Sequence, residues 1–369
     1  MLTPAAVSEL RRAVRAALAA EAGAEPGWRW RGAVPTDDFL DAAVRHRVEI
    51  LLAGRVKELD LPGPVAAELG ALRDADRRTA MARILTVGQL GDLLAGIDHL
   101  VLKGPALAVQ TTGDPTARGG GDVDLLVAPA DVEPALDRLL AAGWACRAGS
   151  TVDRAAWSWR HQLRHGNELS LARPDAVVDL HWRLDTTQDG APGFAALWSR
   201  RAYADLGPVT VATLSPADAL DQALRHSARD GWDTLRSLVD VHRLARDPAA
   251  WPAAPDRLAR ASLSVVAATV GLPPGTPGFR ATRAGLPRAR SLQALEINAR
   301  RHPGDQVVRY VTWALAASHS PRDVAGTAVT ALLPPQQLAE VGERTAGRAI
   351  AVGLGRRARR TLARLREVR

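Results

Sequence analysis

Two aspartates stand at the head of an apolar run, Asp122-Val123-Asp124-Leu125-Leu126-Val127, and this pattern restricts the fold more than any other. The run is short, and the glycine-rich stretch from Gly113 to Gly121 precedes it, so it reads as a buried strand entered from a loop. Strand alternation sets both carboxylates on one face, about 7 Å apart along the backbone, with Val123, Leu125 and Val127 on the other. Taking such charges out of water costs several kcal/mol per ion unless a partner neutralises them. A divalent metal is the expected partner. Asp179, inside the apolar run Val177–Trp182, supplies a third strand carboxylate. Three such groups suit a two-metal site, whose ions sit about 3.5–4 Å apart and stabilise the attacking and leaving oxygens of a phosphoryl transfer.

The pattern around this core changes period once. Residues 1–95 read as helical, beginning with an amphipathic N-terminal segment and broken at the Leu-Pro-Gly-Pro of 61–64. Gly96 reads as a helix stop. Beyond it come short apolar runs: Leu100–Leu102, ending at Lys103-Gly104, then Val123–Val127, Trp144–Arg147, Glu168–Leu171, Val177–Trp182 and Val209–Thr213. A short helix starts at Ala106, and another is capped by Asp131 with Pro134 in its first turn. Ser215-Pro216-Ala217-Asp218 opens a helix over 216–229, and a second follows over 233–246. The stretches 248–255 and 273–277 read as linkers, with helix from there to the end. The expected division is an N-terminal helical region (1–95), a mixed α/β core (96–214) and a C-terminal helical region (215–369), an α+β fold built on a small mixed sheet.

Composition narrows the function classes. The single cysteine, Cys146, excludes disulfide frameworks and cysteine zinc sites, and fits a cytoplasmic setting. No stretch of eighteen apolar residues occurs, and Arg15 interrupts the N-terminal apolar segment, so neither a spanning helix nor a signal peptide is expected. The net charge of +8 is concentrated in residues 348–369, where eight arginines face Glu367 alone, leaving about +1 for the rest. That tail is a candidate surface for nucleic acid or acidic membrane; a solvated terminal helix is the simpler reading.

Other residues qualify for chemistry. His181 follows Asp179 by two and points the same way along its strand. His161 and His165 are four apart, as on one helix face, but Gln162 stands where a zinc-protease signature needs glutamate. Trp157 and Trp159 read as alternating positions of a half-buried strand. No Gly-x-Ser-x-Gly elbow occurs.

Four pieces together, Leu100–Leu107 (LVLKGPAL), Arg118–Val127, Val177–Leu184 (VVDLHWRL) and the later His226…Trp232…Leu235-Arg236…Asp240, resemble the bacterial uncharacterised nucleotidyltransferase family. Through it the chain resembles the DNA polymerase β-type nucleotidyltransferase superfamily. The resemblance covers about residues 40 to 245. It implies transfer of a nucleotidyl group from a nucleoside triphosphate, ATP foremost, to an acceptor that is a small metabolite, a peptide or an RNA end, with release of pyrophosphate. Asp122 and Asp124 would bind two Mg²⁺ ions, for which Mn²⁺ can substitute, and Asp179 would be the third, catalytic carboxylate. Lys103, Gly104 and Arg118 would contact the triphosphate; Pro105 departs from the usual Gly-Ser or Gly-Gly turn and takes one N–H from that cradle. His181, His165, His226 and Arg236 are candidates for the acceptor side, against the alternative of hydrogen bonding and helix packing that serve structure alone. Phosphoryl transfer to the acceptor, and a non-catalytic nucleotide- or RNA-binding module, are the alternatives.

Overall fold

The computed structural model describes residues 2–147, 152–185, 191–251, 255–277, 320–333, 335, 338, 345–352 and 355. The fold is mixed α/β. Its main sheet has five strands in the order β1-β2-β5-β4-β3, formed by β1 (His99–Val101), β2 (Val123–Val127), β3 (Ala145–Cys146), β4 (Glu168–Arg173) and β5 (Ala176–His181). A separate antiparallel hairpin pairs β6 (Ala202–Asp205) with β7 (Thr210–Thr213).

The chain divides into two compact units. The first comprises Met1–Gln89, Leu100–Gly121 and Ser199–Ala317. Its helices are α1 (Pro4–Glu21), α2 (Thr36–His46), α3 (Glu49–Ala53), most of α4 (Gly63–Leu93), α5 (Pro105–Thr112), α9 (Pro216–Arg229), α10 (Leu235–Leu244) and α11 (Arg257–Thr269). Local chemistry starts these helices where the sequence places their caps. Thr3 accepts from the Ala6 N–H and Ser215 from the Asp218 N–H, and each is followed by proline at the first helical position. The core gathers Leu10, Phe39, Leu52, Leu69 and Ile84, all essentially inaccessible. Trp30 meets Phe39 edge to face at 5.0 Å.

The turn between α9 and α10 has an unusual anchor. Gly231 and Trp232 both adopt positive φ, 72° and 53°, and for a bulky side chain that conformation is strained. The strain is offset by burial of the indole, whose Nε1 donates to Ser262 of α11 at 3.0 Å; the Ser262 hydroxyl in turn donates to the Leu224 carbonyl of α9. One ring thus ties three helices.

The second unit comprises Leu90–His99, Asp122–Trp198 and Ser318–Arg369. It holds β2 to β5 together with α6 (Val132–Ala141), α7 (Trp157–His165), most of α8 (Phe194–Ser199) and α12 (Pro321–Leu332). Strand β2 runs parallel to β5, and β4 runs antiparallel to it. Alternation gives the sheet one apolar face from Val123, Leu125, Val178, Leu180, Leu169 and Leu171, all buried.

Three expectations need correction. Residues 24–35 are not helical, with Gly23 and Gly32 at positive φ on either side of Pro26-Gly27. Trp157 and Trp159 lie on a helix, not a strand. Trp-Ser-Trp alternates over three residues only, whereas the longer window repeats every four, through Trp157, His161 and His165 on one face and the buried Ser158 and Gln162 on another. Strand β6 was not expected, because Tyr203 is largely exposed and the segment carries no apolar run. Of the tail arginines only Arg348 lies among the described residues, so the tail's helical reading falls outside them, as does most of the stretch beyond residue 277.

Candidate metal centre

The register of the second unit's sheet builds a polar cluster from three strands. Asp124 of β2 lies opposite Asp179 of β5, and Asp179 lies opposite Ser170 of β4. Two residues on, His181 of β5 lies opposite Glu168 of β4. Alternation then points Asp124, Asp179, His181, Glu168 and Ser170 to the face away from the apolar side.

Asp124, Asp179 and His181 each offer a ligand atom, all within 4.8 Å of one another. Asp124 is 6% exposed and His181 4%, so neither is solvated enough to stand as a bare charge. The imidazole bridges two carboxylates: Nε2 lies 3.1 Å from Asp124 Oδ1, and Nδ1 lies 3.3 Å from Glu168 Oε2. The Glu168 approach is an ion-pair distance without hydrogen-bond geometry, so Nδ1 is a buried polar atom with no hydrogen bond. Ser170 Oγ donates to Asp179 Oδ1. Burial first, then the Glu168 and Asp124 carboxylates, pushes the Asp179 carboxyl above its ordinary range, against the Ser170 hydrogen bond and His181. A cation between Asp124 and Asp179 would reverse that balance. The donor set of two carboxylates and one imidazole fits Mn²⁺ directly. It fits Mg²⁺ if the carboxylates bind and His181 orients Asp124 from behind.

Asp122 is not one of the three converging groups. It precedes β2 and is exposed. Glu168 and Ser170 were missed at the level of sequence, although the alternation Glu168-Leu169-Ser170-Leu171 carries the signal: a strand with one polar face paired to Asp179 and His181.

On α7, also in the second unit, the rings of Trp157, His161 and His165 form a ladder with centroids 4.7 Å apart at each step. His161 Nε2 sits 3.0 Å from the Leu333 carbonyl. Burial, foremost, lowers the affinity of both histidines for a proton, and for His165 so do His161 and the guanidinium groups of Arg164 and Arg183. Arg183 Nη1 donates to the carbonyls of Leu163 and Gly166, both at 2.9 Å, closing the end of that helix.

The remaining sequence-selected residues belong to the first unit. Gly104 caps α5 with φ 59° and ψ −128°, a conformation open essentially to glycine alone. Pro105 occupies the first helical position, where the missing N–H has no intrahelical use. Lys103 immediately precedes them and is half-buried.

The same unit explains the motif spread over 118–240. Arg236 and Asp240 are one turn apart on α10, and both hold the glycine-rich loop. Arg236 Nη1 donates to the Gly119 carbonyl at 2.9 Å. Arg118 grips Asp240 through Nε and Nη2, at 3.1 and 3.0 Å to Oδ2, with both side chains nearly buried. From α4, Arg83 Nη2 donates to the Arg118 carbonyl at 3.3 Å, and its Nη1 would lie 2.6 Å from a Cβ on Gly120. The loop admits these guanidinium groups because it has no side chains there. His226 is engaged locally, with Arg229 Nη2 2.8 Å from its Nδ1 and Asp230 Oδ2 3.4 Å from its Nε2.

Among the described residues no helix is long and apolar enough to cross a membrane. No curated protein matches the sequence. The profile of the uncharacterised nucleotidyltransferase family matches residues 33–270, which takes in the polar sheet face, the loop and the α10 residues that hold it, and the chain belongs to that family.

Proposed function

We propose that this protein is a metal-dependent nucleotidyltransferase of the DNA polymerase β type, moving a nucleoside monophosphate from a triphosphate, ATP foremost, to an acceptor and releasing pyrophosphate. The observation that carries the reading is the in-register pair of buried Asp124 and half-buried Asp179, beside the buried His181, in a member of a nucleotidyltransferase family. Asp124 and Asp179 would hold Mg²⁺ or Mn²⁺, with Asp122, exposed just ahead of β2, as a further carboxylate at the metal. Bound there, the metal would supply charge neutralisation at the phosphates and at the leaving oxygen.

The chain's own residues do the rest. His181 fixes the direction of the Asp124 carboxylate through its Nε2 contact. The Ser170 hydroxyl donates to Asp179 Oδ1, which leaves the second carboxylate oxygen to take the acceptor's proton. The turn at Lys103-Gly104, with the N-terminal N–H groups of α5, suits a polyphosphate. In this reading Arg118 acts chiefly through Asp240, keeping the loop ahead of Asp122 in shape, and His165, His226 and Arg236 are the positions to vary for acceptor selection. Catalysis would come from positioning and preorganised charge.

The test is label transfer. Purified protein with Mg²⁺, a metabolite or RNA extract as acceptor source, and ATP labelled at either the α or the γ phosphorus should move the α label and release the γ label in pyrophosphate. Movement of the γ label into the acceptor would instead establish phosphoryl transfer and overturn the reading. Asp124→Asn and Asp179→Asn should each reduce α-label transfer at least a hundredfold.

A further inference from the structure

A cavity of about 240 Å³ in the first unit is lined by residues that no part of the nucleotidyl-transfer reading uses. Four arginines face it: Arg55, Arg73 and Arg77, the last two one turn apart on α4, and Arg243 of α10. Against them stand Glu21 and Asp114, which leaves two positive charges in the lining.

The negative groups are already committed. Glu21 accepts from Arg243 at 2.5 Å and from Arg246 at 3.1 Å. Asp114 Oδ1 accepts from the N–H and hydroxyl of Thr116, at 2.8 and 2.7 Å. The other arginines are held weakly. Arg55 reaches Glu58 at 3.0 Å and Arg73 reaches its neighbour Asp74 at 3.4 Å, both pairs in contact with solvent. Such pairs are screened and exchange readily for a better partner. Arg77 makes no ion pair among the described residues.

We infer that this cavity is a binding site for a phosphate-bearing small ligand. A dianionic phosphate matches the residual charge, and planar guanidinium forks bind its oxygens two at a time. The volume accommodates one or two phosphoryl groups with part of their carrier. The site is separate from the polyphosphate turn proposed above. Thr112, in its wall, ends the helix that Gly104 begins, and eight residues of α5 set the two ends roughly 11 Å apart. The wall also includes Asp114, Thr116 and Ala117, so an occupant touches the glycine-rich loop directly.

The inference does not depend on the metal centre, and the experiment keeps the two apart. Isothermal titration is run in excess EDTA at fixed chloride, with inorganic pyrophosphate and, separately, ribose 5-phosphate as probes. Wild type and Asp124→Asn should bind alike, and affinity should fall as salt rises. Arg73→Gln/Arg77→Gln should lose affinity tenfold or more while its ligand-free melting temperature stays within a few degrees of wild type. Should the double variant misfold, Arg77→Gln alone, at an exposed position, should still lose at least threefold. Preference for ribose 5-phosphate would identify a phosphorylated metabolite, and preference for pyrophosphate a nucleotide tail. No binding by wild type, wild-type affinity in the arginine variants, or loss on Asp124→Asn would each overturn the inference.

Discussion

Asp124 and Gly120 act through opposite properties, one by a charge and the other by having no side chain. A methyl on Gly120 would meet Arg83 Nη1 at 2.6 Å, and Arg83 is buried and bonded to the carbonyls of Thr79 and Arg118, so it cannot simply swing aside. Gly120→Ala is therefore expected to cost about 1.5–3 kcal/mol, the scale of a lost hydrogen bond from a charged group. The penalty should shrink when Arg83 is also replaced by alanine; chemical denaturation of the four-member cycle measures that coupling. Equal penalties in both backgrounds would mean that the contact carries no energy.

Glu49 of α3 is the second residue with a readable consequence. Burial, foremost, and the neighbouring Asp76 carboxyl raise it to about 7, against its own backbone hydrogen bond and Arg236. The ionised form is therefore disfavoured in the folded state, and stability is lost as pH rises from the unfolded value of about 4.5 through about 7. Glu49→Gln removes that dependence. Between pH 5 and pH 8 the variant should gain on the order of 2 kcal/mol relative to wild type in urea denaturation. A difference that does not change with pH would contradict the assignment.

At the scale of elements, α10 does more than pack. Its Arg236 and Asp240 fasten the loop through Gly119 and Arg118, and the nearly buried Arg118–Asp240 pair is the stronger attachment. Removing one member, as in Asp240→Ala, takes the paired carboxylate away from a nearly buried guanidinium and should cost about 3–5 kcal/mol in thermal or chemical unfolding. Trp232→Ala would withdraw the ring that ties α9, α10 and α11 and should cost a similar amount.

Much of this was legible in sequence. The span of β2, the 216–229 helix with its Ser215 cap and the strand position of Asp179 follow from alternation and capping chemistry. The link between Arg118 and Asp240 did not, because a contact across 122 residues has no local period to reveal it. Trp157 and Trp159 misled because two aromatics spaced by one residue satisfy a strand pattern over a window too short to exclude a helix. Asp122 looked equivalent to Asp124 by spacing. The structure separates them, since only Asp124 lies inside the paired part of the strand.

For the whole molecule, the two units divide the chemistry. One carries the polar sheet face with its carboxylates and imidazole; the other carries Lys103-Gly104, the braced loop and an arginine-lined cavity. The chain crosses from one to the other between Gly121 and Asp122. The account stands on the claim that Asp124 and Asp179 bind a divalent cation. Electron paramagnetic resonance of Mn²⁺ titrated into the protein, with and without ATP, tests it most directly. Wild type should remove the free-ion signal, Mg²⁺ should compete, and Asp124→Asn and Asp179→Asn should each weaken binding at least tenfold with melting temperatures that show a folded protein. Wild-type Mn²⁺ affinity in both variants would contradict the account.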